Sequence, residues 1–226
     1  MRGIGVVVAL LLAPVAAMAQ QVSVAQLAAE AKGPVDSSTF VVSRGGKVVA
    51  TERVRRVGPT VTGDFLPNAA DPVRTRWEAV VTPEGAVGLL EVTEKQGLDT
   101  GKVRARVIQR GRAIWKGDSV AMEAMTSGGL HMRFYKTTPN SAPYLNLSFG
   151  LLDVALQRVL PKVGESAPLP LFNLTGGVTA TATVTRPSPD SARVRLGTVE
   201  FALALDARGR VRGGGIPAQG VEVRRE

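Results

Sequence analysis

The stretch that decides the fold is Asn146–Pro161, NLSFGLLDVALQRVLP. It is the one segment with strong helical periodicity, in a sequence that otherwise consists of short strand patterns. Its larger apolar side chains fall in one arc of the helical wheel, and its polar side chains fall opposite. The opposite set is Asp153, Gln157 and Arg158. Because Ser148 is a suitable N-cap and Pro161 follows the last periodic residue, we predict one helix at about 147–160.

The N-terminus predicts export. Met1 and Arg2 form a short basic start, Ile4–Val15 is apolar, and a small-x-small cleavage signal ends at Ala19. The apolar run is short for a transmembrane span, so cleavage after Ala19 is favoured over a retained membrane anchor. The chain has no cysteine, which excludes disulfides, thiolate metal sites and lipid attachment at the cleavage point. We therefore expect a periplasmic protein that is not a lipoprotein.

The export signal and the strand patterns divide the sequence into three predicted segments. Residues 1–19 are the signal peptide, residues 20–37 form an N-terminal helix or a flexible leader, and residues 38–226 form a single β-rich domain. Ser23–Gln26 has the form of a capping box and Gly33 with Pro34 would stop a helix, but the apolar stripe between them is thin. Both interpretations of residues 20–37 therefore stay open.

The β-rich domain reads as about eleven antiparallel strands. Gly45 and Gly46 separate two strand patterns with the spacing of a two-residue hairpin. Val73–Thr82 alternates apolar and charged side chains, which indicates one buried and one solvated face. A further strand over Lys102–Arg110 is expected to end in a turn at Gly111.

A sheet of this size does not stay flat, because strand twist makes it curl or split. With one apolar helix two-thirds of the way along the chain, we predict a mainly β fold with one central helix. Its curved antiparallel sheet would be a half-barrel of about 11 strands wrapped around the helix at about 147–160. The alternative, a two-sheet sandwich, is less favoured because it leaves the helix without a concave partner.

The export signal, the curled sheet and the single helix together resemble the periplasmic lipoprotein-carrier half-barrels of the Lol type. That resemblance implies an apolar ligand beneath the sheet. Locally, Leu203–Val211 with Ile216–Val223 is similar to the last hairpin of β-rich modules that precede some secreted α/β-hydrolase domains. The chemistry of those proteins belongs to the hydrolase domain, so this second resemblance implies no activity for the present chain.

Few catalytic arrangements can be assembled from this composition. The single histidine, His131, is expected on the wetter face of its strand, and with no cysteine the common zinc sites cannot form. No serine lies in a Gly-x-Ser-x-Gly motif. The scattered carboxylates show no spacing that singles out an acid–base pair. They are Glu91, Glu94, Asp99, Asp118 and Glu123. We expect no catalytic residues, no metal and no cofactor, and keep a carboxylate-dependent hydrolase as a second alternative.

The formal net charge of +9 invites an acidic partner. Export argues against nucleic acid, which leaves an anionic membrane surface as the plausible one. A solvated basic sheet face without a partner is the simpler alternative.

Apolar recognition is the remaining function. Large apolar side chains on faces that alternation assigns to the inside could line a groove for a lipid or another apolar small molecule. These candidates are Trp77, Leu89, Trp115, Met122, Met132, Phe134, Phe149, Leu152 and Phe201. The same residues could instead fill an ordinary core. The preferred expectation is a non-enzymatic periplasmic lipid-binding protein, and the alternative is an envelope scaffold or protein-interaction module with a solid core and an unidentified protein partner.

Overall fold

The computed structural model describes residues 33–98 and 104–226. The expected signal peptide and the capping box at Ser23–Gln26 lie outside the described residues. Within them, the protein is mainly β with one α-helix, α1 (Phe149–Val159). No helix in the described ranges is both long and apolar enough to cross a membrane.

The described residues form fifteen strands, more than the expected eleven or so. They are β1 (Val35–Arg44), β2 (Lys47–Val57), β3 (Thr60–Pro67), β4 (Val73–Val81), β5 (Val87–Gln96), β6 (Arg106–Lys116), β7 (Ser119–Thr126), β8 (Gly129–Lys136), β9 (Ala142–Tyr144), β10 (Ser166–Asn173), β11 (Val178–Ser188), β12 (Ser191–Leu196), β13 (Val199–Leu205), β14 (Val211–Ile216) and β15 (Val221–Arg225). The turn expected at Gly111 is wrong, because β6 continues through it with Val92 and Ala124 as cross-strand partners.

All fifteen strands belong to one open sheet with the order β8-β7-β6-β5-β4-β3-β2-β1-β15-β14-β13-β12-β11-β10-β9. Each neighbouring pair is antiparallel except β9 with β10. The hairpin expected at Gly45 and Gly46 is confirmed, since Arg44 pairs with Lys47 across it. The first strand pairs with the last, so two meanders are joined where β1 meets β15.

Helix α1 begins where the sequence predicts. Ser148 is its N-cap, and the Ser148 hydroxyl accepts a hydrogen bond from the Leu151 amide at 3.2 Å. The helix packs against β2, β9 and β10, and Phe149 lies between Phe40 of β1 and Phe201 of β13 with ring centroids 6.5 and 6.3 Å apart. We call the face that contacts α1 the inner face of the sheet, and the opposite one the outer face.

The expectation for Asp153 is wrong. The helical wheel puts Asp153 opposite the apolar arc, where a solvated side chain is expected, but its exposed fraction is 4%. The first eight residues of α1 are all buried, so the helix is enclosed on all sides there. The Asp153 carboxylate is satisfied by the Val211 amide at 2.7 Å and by Arg210, whose Nε lies 3.5 Å from the other carboxylate oxygen.

Candidate functional site

Four of the residues expected to line a ligand groove lie in the main hydrophobic core. They are Trp77, Phe149, Leu152 and Phe201, with exposed fractions between 0 and 4%. The ring contacts of Phe149 and the close approach of Trp77 to the helix fill the space between α1 and the sheet. These four side chains therefore act as core.

Trp115 and Met122 share the inner face but belong to a smaller cluster. Both are partly buried against Val120 and Phe172, and the Trp115 ring meets Phe172 edge-on at 6.1 Å. The Trp115 indole N–H donates to the Ser141 hydroxyl at 3.1 Å. Trp115 also packs against the main core, so it links the smaller cluster to the residues around α1.

The three remaining candidates lie on the outer face, so their expected orientation is wrong. Phe134 pairs with Ala121, Ala121 with Ile114, and Ile114 with Leu89. Cross-strand partners share a face, and this row lies opposite the one that contains the buried Val120. Met132 belongs to the same side as Phe134 because residues two apart in a strand do.

The two faces of strand β8 are the reverse of those that the alternation predicts. Phe134 is 77% exposed and Met132 is 56% exposed, whereas Tyr135 packs into the smaller cluster with Phe172. His131 is on the inner side with Tyr135, as the partner of Ala124, and it is nevertheless exposed. Alternation shows which residues share a face, but it does not show which face the rest of the molecule covers.

Exposed apolar side chains are concentrated at this end of the sheet. We call the set Met125, Leu130, Met132 and Phe134 the β8 face; their exposed fractions run from 48 to 77%. Met125 of β7 pairs directly with Leu130, so the set is continuous across two strands. Strand β8 is also an edge of the sheet, and its eight residues have a strand neighbour on one side alone.

Cations flank the β8 face at both ends. Arg110 pairs across the strands with Met125. At the other end, Lys136 follows Phe134 by two residues on the same face of β8. Ser119 pairs across the strands with both Lys136 and Lys116, so the two lysines lie in one row. All three cationic side chains belong to exposed residues. Glu123 also lies on this face, as the cross-strand partner of Met132 and of Arg112, so the three cations at the two ends outnumber the one carboxylate beside the row.

A second polar arrangement, missed by the sequence reasoning, joins α1 to the sheet. Glu52 of β2 is completely buried, and its carboxylate accepts three hydrogen bonds. One oxygen accepts from the Trp77 indole N–H at 2.9 Å and from the Ser148 hydroxyl at 2.6 Å, and the other accepts from the Gly150 amide at 2.8 Å. Burial raises the pKa of Glu52, and the hydrogen bonds from Ser148, Gly150 and Trp77 oppose that rise.

The position of this carboxylate suits a negative charge. It meets the first turn of α1, where free amide groups and the helix dipole favour an anion. Gly150 allows the close approach, because a Cβ there would lie 2.5 Å from Val54 and 3.0 Å from the Trp77 ring. One signal could have revealed Glu52: its neighbours two residues away, Ala50 and Val54, are the inward-facing apolar residues of β2.

Asp153 is the other buried carboxylate. Burial raises its pKa to about 6, against the lowering effect of the Val211 amide and the charges of Arg225 and Arg56. All the oxygens of Glu52 and Asp153 face donors of the protein itself. Both groups therefore stabilise the helix–sheet junction and leave no lone acceptor directed at an open site.

The outer face of β1–β4 contains a depression of about 630 Å³. Its lining is polar, with cations and carboxylates in balance. The charged members are Arg53, Arg55, Arg76, Asp64, Glu78 and Glu226. Arg76 forms an ion pair with Glu78, with 2.7 Å between the guanidinium nitrogen and the carboxylate oxygen. We therefore interpret this depression as a solvated face of paired charges.

Two of the carboxylates considered for acid–base chemistry, Glu91 and Glu123, lie on the outer face on either side of Arg112. Glu91 lies on the outer face opposite Glu78 and forms an ion pair with Arg112 at 3.9 Å. Asp99 lies outside the described residues. Among the residues that the structure describes, no cluster of three or more His, Asp or Glu side chains has the geometry to hold a metal ion.

Comparison with known proteins gives a fold and no identity. No protein-family description and no curated protein matches the sequence. A solved structure of a DUF1089 family protein from Pseudomonas aeruginosa is similar, with a TM-score of 0.54 at 10% sequence identity. The similarity covers 74% of this chain and 89% of that one. At this identity the likeness concerns the β-rich fold alone.

Proposed function

We propose that this protein is an exported, non-enzymatic binding module of the cell envelope that engages its partner through the β8 face. Its solid core would serve as the scaffold, with the sheet curved as a half-barrel around α1. The observation that carries the proposal is Phe134. At 77% it is the most exposed large apolar side chain among the described residues.

The half-barrel is supported by the partners of the helix. Helix α1 packs against β2 in one meander and against β10 in the other. Its Asp153 is hydrogen-bonded to β14, and its Phe149 touches rings of β1 and β13. A helix that contacts strands so far apart in the sheet order is best accommodated by a sheet that bends around it.

The β8 face supports a binding role because exposed apolar surface is costly. Soluble monomers rarely present several adjacent large apolar side chains, and such patches commonly mark interaction sites. An edge strand with apolar side chains carries the additional risk of aggregation, which proteins usually avoid. A face that combines both features is best explained by a partner that covers it.

The packed interior favours this module over a ligand pocket around α1. Trp77 and Phe149 are buried, and Gly150 has no space for even one additional carbon atom. A lipid bound there would have to displace these contacts, each of which is worth about 1.5–3 kcal/mol in burial free energy.

Lipid carriage beneath the sheet remains the second candidate function, for one specific reason. Trp115 and Met122 lie on the inner face and are partly buried. A flexible methionine beside an aromatic ring suits a tolerant apolar site. Organic extraction of protein purified from its own envelope, followed by mass spectrometry, tests this candidate; repeated empty extracts would exclude it.

The proposed module is tested by a photo-reactive amino acid at position 134 in the exporting cell. We expect light-dependent adducts from position 134 and none from position 163, where the exposed Val163 provides a matched control outside the sheet face. Cell fractionation of the same strain reports whether the chain is exported. Equal labelling from both positions, or retention of the protein in the cytoplasm, would contradict the proposal.

A further inference from the structure

We infer that the β8 face docks on the surface of an anionic lipid bilayer, with its apolar side chains in the interface and its flanking cations on the headgroups. This inference rests on the proposed function, and it names the partner of the same surface.

The side chains of the β8 face fit the interfacial region of a membrane. Leu130, Met132 and Phe134 project from one side of a single strand at alternate positions, so they form a row. Met125 extends the row sideways onto β7. Their combined apolar surface can enter the boundary between headgroups and acyl chains while the strand backbone stays in the polar layer.

Charge complementarity selects an anionic surface. Lys116 and Lys136 border the Phe134 end of the row, and Arg110 borders the Met125 end. Each cation close to an anionic membrane strengthens binding by about fivefold, an effect that salt screens. Cations at both ends of an apolar row allow the apolar and electrostatic contributions to act at once.

The same charges disfavour a second copy of the chain as the occupant. Two copies joined through the β8 face would bring Arg110, Lys116 and Lys136 of both copies into one interface. Like charges brought together in an interface are destabilising. An anionic bilayer attracts these cations, whereas a second copy of the chain would repel them.

The test uses the mature chain in flotation with vesicles of neutral phosphatidylcholine, with or without phosphatidylglycerol. We expect the protein to float with the anionic vesicles, and to be released as salt rises from about 0.05 M to about 0.5 M. The F134S variant should bind the anionic vesicles about tenfold more weakly, because a buried aromatic ring is lost from the interface. The paired K116Q and K136Q changes should weaken binding by about 25-fold, at about fivefold per cation.

Matched controls lie outside the β8 face. Lys162 and Val163 are exposed in the turn after α1, so K162Q repeats the lysine change elsewhere and V163S replaces another exposed apolar side chain by serine. We expect both to bind as the unchanged protein does. Far-UV circular dichroism verifies the fold of each variant, and the exposure of Phe134 and Lys136 makes unfolding unexpected.

Several outcomes would overturn the inference. Absence of flotation with anionic vesicles would do so, and so would flotation that ignores F134S and the paired lysine changes. A concentration-dependent dimer that F134S abolishes would assign the face to a second copy. The proposed binding module would still be supported in each case if the photo-reactive residue at position 134 captured the same protein repeatedly in the envelope. The flotation result and the cross-linking result therefore test the two proposals independently.

Discussion

The buried Glu52 carboxylate provides the sharpest test of the structure. We consider Glu52→Gln, which keeps the size of the side chain and removes its charge. Three donors face the carboxylate, from Trp77, Ser148 and Gly150. In the variant, the new amide NH₂ must take the place of one oxygen. At least one of the three donors then loses its acceptor, and the NH₂ itself meets a donor.

The magnitude follows from these unmet groups. Each buried donor without an acceptor costs about 1–3 kcal/mol, so two of them cost about 2–6 kcal/mol. Because burial raises the pKa of Glu52, removing the charge also recovers part of the desolvation penalty. We therefore expect the unfolding free energy to fall by about 2 kcal/mol at neutral pH, near the lower end of that range.

Equilibrium urea unfolding, followed by far-UV circular dichroism, measures this loss. Glu222→Gln is the matched control, since Glu222 is an exposed strand glutamate, and we expect its effect to stay within about 0.5 kcal/mol. A Glu52→Gln protein as stable as the unchanged chain would refute the account of the helix–sheet junction. So would a variant that gains stability.

Three further predictions concern α1. Burial raises the pKa of Asp153 from its ordinary value of 3.8 to about 6, so the folded state binds the carboxyl proton more tightly than the unfolded state does. The stability that this proton contributes is fully present below pH 3.8 and is lost as the pH rises through 6. Urea titrations measure the unfolding free energy of the unchanged chain minus that of Asp153→Asn, and we expect this difference to fall by up to about 3 kcal/mol from pH 4 to pH 7. A difference that does not change with pH would exclude the raised pKa. Gly150→Ala should destabilise by about 1–3 kcal/mol, although alanine usually favours a helix, because the new Cβ meets Val54; a raised melting temperature would contradict the packing. Leu156→Asp and Leu152→Asp should both abolish the folded circular dichroism spectrum, since both leucines are buried, and tolerance of the second alone would reveal a ligand space.

The sequence was informative where a local rule decides the structure. The helix followed from its period, from the Ser148 cap and from Pro161, and all three lie within one short segment. The first hairpin followed from Gly45 and Gly46, whose positive φ angles suit a tight turn.

Strand β10 was missed because Pro168 and Pro170 interrupt its pattern. The structure explains why they are tolerated. Strand β9 pairs with β10 from Leu171 to Asn173, so both prolines lie where β10 has a strand neighbour on one side alone. Proline removes a hydrogen-bond donor, which costs little on such an edge.

The candidate site was harder to predict because burial of a face is a tertiary property. The pattern of β8 gave the correct grouping of Met132 with Phe134 and the wrong side for both. Asp153 looked solvated because a helix wheel assumes one wet side, and α1 has none over its first two turns. The surface that carries the proposed function is thus defined by the neighbours of each strand in the sheet.

The contact between β1 and β15 also has a consequence for biosynthesis. Phe40 is aligned with Arg225, so the seam between the two meanders joins strands that lie far apart in the sequence. Such a pairing gives a high contact order and slow closure. Strand β1 is synthesised before the other fourteen strands, and β15, its partner at the seam, is synthesised after all of them. Loss of residues 221–226 would therefore leave two unjoined half-sheets, so the continuous sheet cannot form before β15 has been synthesised.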